Sequence, residues 1–104
     1  MLTLPIKKKW FDMILSGEKK EEYRDLNDYY RVRFCNLFPG FEDSFVIPKL
    51  GAKPIVFRNG YRKNSPSFTA LCSFRIGEGK EEWGAEHGKK YFVLTIHEIF
   101  PGEN

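Results

Sequence analysis

Within the stretch Gly17-Glu18-Lys19-Lys20-Glu21-Glu22-Tyr23-Arg24, three residues have types and spacing that suit joint chemistry: Lys19, Glu22 and Arg24. Side chains alternate along a strand, so Glu22 and Arg24 would share one face, with Glu21 and Tyr23 on the other. Lys19 falls in the turn entering that strand and can converge on the first face. Arg offers a planar fork of donors and Lys a point charge, and both suit phosphate or base edges. Glu22 can hold Arg24 in place or accept from a base amino group. The same residues also fit an enzyme, with Lys19 orienting water or depressing the pKa of a neighbouring acid and Glu22 acting as general base. The plain alternative is a solvated charge run in which Glu22 and Arg24 merely pair, contributing at most about 1 kcal/mol.

A second group follows the dipeptide Asn59-Gly60. Tyr61 stands beside Arg58, Arg62 and Lys63, a stacking surface with neighbouring cations of the kind that holds single-stranded nucleic acid at about 1–3 kcal/mol per stacked base. Lys9 is a further candidate contact. It closes Lys7-Lys8-Lys9, three lysines at a helix start, where each opposes the macrodipole at a cost of about 0.3–1 kcal/mol. A local rule broken without visible gain points to function. Tyr29, Tyr30, Arg31 and Arg33 form another basic-aromatic cluster, but their helical spacing assigns the aromatics mainly to the core. His87 reads as a solvated loop residue and His97 as a strand residue with a satisfied ring. No metal-ligand spacing and no Walker-type glycine loop occurs, so neither metal nor cofactor is expected.

The elements that must position these groups follow from periodicity. Leu2–Ile6 alternates and predicts a short strand, with Pro5 at its end or on an edge. Lys8–Ser16 turns helical: Trp10 and Ile14, and Phe11 and Leu15, each lie four apart and make one apolar face, and Gly17 supplies a left-handed cap. Glu21–Arg24 is a short strand. Asp25–Asp28 offers turn and N-cap residues to a helix over Tyr29–Phe38, with Tyr30, Phe34 and Phe38 in step. Residues 39–53 show no period and predict an irregular loop. Pro54–Arg58 is a strand leading into a tight Asn-Gly hairpin, with Tyr61–Lys63 on its return. Phe68–Ile76 alternates cleanly, placing Phe68, Ala70, Cys72, Phe74 and Ile76 on one side. A loop with a helical turn over 80–90 and a final strand over Tyr91–Phe100 complete the chain.

The 104 residues suit one domain spanning 1–104. Aromatic residues make up 16% of it, which favours strands and an aromatic core. Several strands and two early helices predict an α+β fold, a small mixed β-barrel, partly closed. A net charge of +3 permits a phosphate-bearing partner without demanding one. Cys35 and Cys72 sit among apolar residues and read as buried thiols, not as a disulfide framework. The apolar N-terminus is cut by Pro5 and the lysines, so neither signal peptide nor membrane span is expected, and a cytoplasmic location is the default.

Ile14-Leu15-Ser16-Gly17-Glu18-Lys19-Lys20-Glu21-Glu22-Tyr23-Arg24 resembles the signature of ASCH (activating signal cointegrator homology) domains. That signature is Gly-x-Lys-x-x-Glu-x-Arg after an amphipathic helix, and Gly17, Lys19, Glu22 and Arg24 fill its four places. The resemblance is strong over residues 1–25 and looser beyond. It implies a PUA-like β-barrel whose cleft is lined by the motif, with RNA or a nucleotide-like small molecule as partner. Some small bacterial relatives look like amidohydrolases that deacylate a modified cytidine, using a Thr nucleophile with a Lys. Here Glu22 stands in the place of that Thr, and a carboxylate cannot serve as a hydroxyl nucleophile. The expectation is therefore RNA or nucleotide binding around Lys19, Glu22 and Arg24. The alternatives are a hydrolase using the same cleft (an acylcytidine-type amidohydrolase or a nuclease) and a protein-interaction module docking through Trp10 or Trp83.

Overall fold

The computed structural model describes residues 1–40 and 46–101. Its strands are β1 (Thr3–Pro5), β2 (Glu21–Asp25), β3 (Val46–Ile47), β4 (Lys53–Arg58), β5 (Ser67–Glu78) and β6 (Lys90–Pro101). Helix α1 (Lys8–Leu15) joins β1 to β2, and α2 (Asp28–Leu37) follows β2. The strands form one mixed sheet in the order β1-β4-β5-β6-β2, with β3 pairing onto β5. Among the described residues only β1 and β4 pair in parallel. The sheet curls into a half-barrel that brings its two edge strands together: Arg24 on β2 donates to the Pro5 carbonyl at the end of β1, 2.8 Å away. This is the α+β, barrel-like architecture that the strand pattern predicts.

Local chemistry explains the two helices differently. In α2, the Asn27 side chain accepts from the Tyr30 N–H at 3.0 Å and Asp28 sits in the first turn, so cap and dipole are both satisfied. Helix α1 has neither a capping side chain nor an acidic first turn. At eight residues it is too short to stand alone, and it holds by burying Phe11 and Ile14. Leu15, expected on that face, is exposed, because the helix ends there and Gly17 turns the chain away at φ +84°.

The core lies inside the curled sheet beneath both helices. Phe34 of α2 packs on Phe74 and Phe92, and Phe38 at the helix C-cap packs on Phe74, with ring centroids 5.3–5.7 Å apart. Phe11 of α1 meets Phe68, which in turn meets Phe57. Strand β5 buries Phe68, Ala70, Cys72 and Phe74 as its alternation predicts. Cys72 is fully buried and Cys35 half-buried, both as thiols.

Two local expectations are corrected. The stretch expected as an irregular loop over 39–53 contains β3, a 3-10 turn at Lys49–Gly51 and the start of β4; residues 41–45 of it lie outside the described residues. Asn59-Gly60 does not close a two-residue hairpin either. The ladder continues to Arg58 and Ser67, the Asn59 N–H donates to Pro66, and residues 59–66 form the connection. The reason is tertiary: the Asn59 amide donates to the Ile6 carbonyl at 3.0 Å, so it holds the loop against the β1–α1 turn. Tyr61, Arg62 and Lys63 therefore sit at a loop tip, closed by a turn between Arg62 and Ser65.

Candidate binding cleft

Where the sheet's edges meet, a cleft of about 520 Å³ opens, within the usual range for a ligand pocket. Its walls come from the β1–α1 turn (Pro5, Ile6, Lys7), from Trp10 of α1, from Glu22, Tyr23 and Arg24 of β2, from Asn59–Tyr61, from Trp83 and Gly84, and from Tyr91. Five of these residues are aromatic.

The floor is built from the three motif residues. Lys19 is 1% exposed, although lysine is almost never fully buried unless paired. Its Nζ lies 3.1 Å from Glu22 Oε1, donates to the Trp83 carbonyl at 2.5 Å, and sits 4.7 Å from the Trp10 ring and 4.9 Å from the Tyr23 ring. The other Glu22 oxygen takes Arg24 at 2.7 Å. Arg24 also donates to the Pro5 carbonyl and, at 3.3 Å, to the Tyr30 hydroxyl, whose ring lies beneath its guanidinium. The convergence expected of Lys19, Glu22 and Arg24 is present, but as a compensated network. Burial pushes the Lys19 pKa down, with the Glu22 charge acting against that fall. Arg24 goes up: burial alone would lower it, but Glu22 and the hydrogen bonds to Glu22 and Tyr30 outweigh that.

Around the floor the packing is close. Gly84 adopts φ +101°, a conformation that strains any residue with a side chain, and a Cβ there would approach the Trp10 ring to 3.0 Å, so glycine favours the close seating of this turn against α1. Tyr23 donates to Glu21 and accepts from the Lys80 N–H, while its ring packs 5.6 Å from Tyr91. The Tyr91 hydroxyl accepts from the Glu86 N–H. These bonds hold the 79–86 segment, and with it Trp83, as one wall.

The remaining sequence-predicted residues scatter around the mouth. Tyr61 lines the cleft yet is 91% exposed. Arg62 and Lys63 are exposed at the same loop tip, and exposed Lys9 lies 4.6 Å over the Trp10 ring. Arg58 is half-buried on β4 and does not line the cleft; its Nε is buried with no hydrogen-bond partner among the described residues. Trp83, expected as an exposed docking residue, is buried apart from its place in the wall. Lys7, Tyr23 and Tyr91 also line the cleft, beyond the site residues that the sequence predicts. Only their residue types hinted at the role, since nothing in the chain announces which distant segments meet.

His87 is solvated, as expected. The His97 ring meets Ser73 Oγ at 2.7 Å; His97 is the extra residue of a bulge, since Leu71 pairs with Glu98 and Cys72 with Ile96. Among the described residues no cluster of His, Cys, Asp or Glu could hold a metal ion, and no helix is long and apolar enough to cross a membrane. No family model, no curated protein and no solved structure matches the chain.

Proposed function

We propose that this chain is an ASCH-type, PUA-like domain that binds RNA or a nucleotide-like ligand by taking a base into the cleft. The observation that carries the reading is the combination within one cavity. Trp10, Tyr23, Tyr61, Trp83 and Tyr91 line the same cleft as one carboxylate and one guanidinium that are already fixed in direction. Flat rings suit the faces of a base, and an immobilised acceptor beside an immobilised donor suits its edge. The Gly17, Lys19, Glu22, Arg24 signature supports the same reading. In it, Lys19 serves as a positioning residue beneath the cleft and Glu22 and Arg24 face the ligand.

The hydrolase alternative is favoured by one feature, the lowered pKa of Lys19 beside a carboxylate. Yet the ammonium is covered, and each Glu22 oxygen already accepts from a cation. Binding therefore accounts for more of the geometry.

The test is direct, because both tryptophans of the chain, Trp10 and Trp83, line the cleft. Titration with nucleosides and nucleotides should quench their fluorescence, and Tyr61→Ala should weaken the effect. Absence of quenching by any of them would sink the reading. Turnover of acylated cytidines or RNA that disappears in Glu22→Gln would replace it with the hydrolase.

A further inference from the structure

We infer that the cleft takes an internal base of a single-stranded polynucleotide, with backbone phosphates on a rim of cations contributed by three chain segments. This rests on the base-binding reading above and names the ligand class for the same site. The argument begins with where a phosphate cannot go. On the floor, Glu22 has both oxygens engaged by Lys19 and Arg24, Lys19 is covered, and Arg24 spends donors on Glu22, Pro5 and Tyr30. A phosphate entering there would meet the Glu22 carboxylate and no uncompensated cation among the described residues. Like charges that close repel, so the floor admits an uncharged base and turns a phosphate away.

The rim is the reverse. Lys7 lines the mouth, Lys9 lies over Trp10, and Lys80 lies 4.5 Å over the Trp83 ring. All three are exposed and have no ion pair among the described residues, whereas Lys8 is paired with Asp12 and Lys89 with Asp25. Arg62 and Lys63 add two exposed cations beside Tyr61. The β1–α1 turn, Lys80 at the N-cap of the acidic 3-10 turn Glu81–Trp83, and the 59–66 loop thus each bring a cation to the cleft. The single phosphate of a mononucleotide cannot serve three segments, but a strand passing over the mouth with one base turned in can. The lysines that offend the dipole of α1 find their use here.

The experiment compares one nucleoside, its monophosphate and a short single-stranded oligonucleotide of the same base, read by Trp10 and Trp83 fluorescence at several salt concentrations. The oligonucleotide should bind at least about tenfold more tightly than the nucleoside at low salt. Its log K should fall with log salt at about −0.7 per phosphate contacted, while nucleoside binding stays flat. The double variant Lys9→Glu, Lys80→Glu should lower oligonucleotide affinity about tenfold and flatten the salt slope, with Lys8→Gln as a control that leaves the slope unchanged. Equal affinity for nucleoside and oligonucleotide, or a monophosphate as tight as the oligonucleotide, would overturn this inference and leave base binding standing. No quenching by any of the three would remove the base-binding reading itself, and this inference with it. Salt-sensitive oligonucleotide binding without quenching would also overturn it, since no base would then be in the cleft.

Discussion

Lys9 and Lys19 lie over the same Trp10 ring, at 4.6 and 4.7 Å, yet one stands in water and the other is 1% exposed. An exposed ammonium over a ring gains about 0.5–1 kcal/mol and keeps its hydration. A buried one must replace its lost water, and Lys19 does so with the Trp83 carbonyl, the Glu22 carboxylate and two rings. The same contrast separates the floor of the cleft from its rim. Floor charges are committed to one another and give the site its shape; rim charges remain available to a ligand. In this protein, burial and not residue type decides which cation stays in water and which is committed to a partner within the fold.

The comparison breaks most readily at Glu22. Glu22→Gln removes the charge that two buried cations share, so it should cost about 3–5 kcal/mol in chemical denaturation, as expected for a broken buried pair. A loss under about 1 kcal/mol would mean that the floor is not held this way. Lys19→Met is the next largest: Glu22 keeps Arg24, but the Trp83 carbonyl loses its donor. A loss of about 1–3 kcal/mol is expected, with Trp83 emission shifted as its wall loosens. Lys9→Met, the matched change over the same ring, should stay within about 0.5 kcal/mol of the parent. Equal effects of the two lysine changes would erase the distinction.

The two thiols sharpen the point through pH. Burial, with a smaller contribution from the Glu22 charge, pushes the Cys72 thiol up from 9.0 to about 12. Between those values the unfolded chain loses this proton and the folded one retains it. The unfolded state therefore binds fewer protons, and the Cys72 contribution to stability, complete below pH 9, is lost as pH rises towards 12. Denaturation at stepped pH should show a shallower decline in Cys72→Val than in the parent, and an identical slope would refute burial as the cause. Native-state alkylation should modify half-buried Cys35 well ahead of Cys72. The smallest stability effect is expected at the rim: Tyr61→Ala, at a residue 91% exposed, should change stability by less than about 0.5 kcal/mol. Its predicted consequence lies in binding, a loss of about 1–3 kcal/mol.

Much of the fold was readable along the chain, because helix and strand periods are local. The alternation of Phe68, Ala70, Cys72 and Phe74, the step from Phe34 to Phe38, and the cap at Gly17 each follow from neighbours a few residues apart. The same holds for Glu22 and Arg24, which share a face because strand side chains alternate. Sequence alone thus determined both helices, the longer strands and the convergence of Lys19, Glu22 and Arg24. Tertiary structure decided the rest. Asn59 reads as a hairpin residue by its neighbour Gly60, but a carbonyl from Ile6 claims its amide and opens the turn into a loop. Lys19 reads as a ligand contact until Trp10, Tyr23 and Trp83 close over it. Which charges stay in water depends on segments that meet only when the sheet curls, and a local pattern carries no information about that meeting.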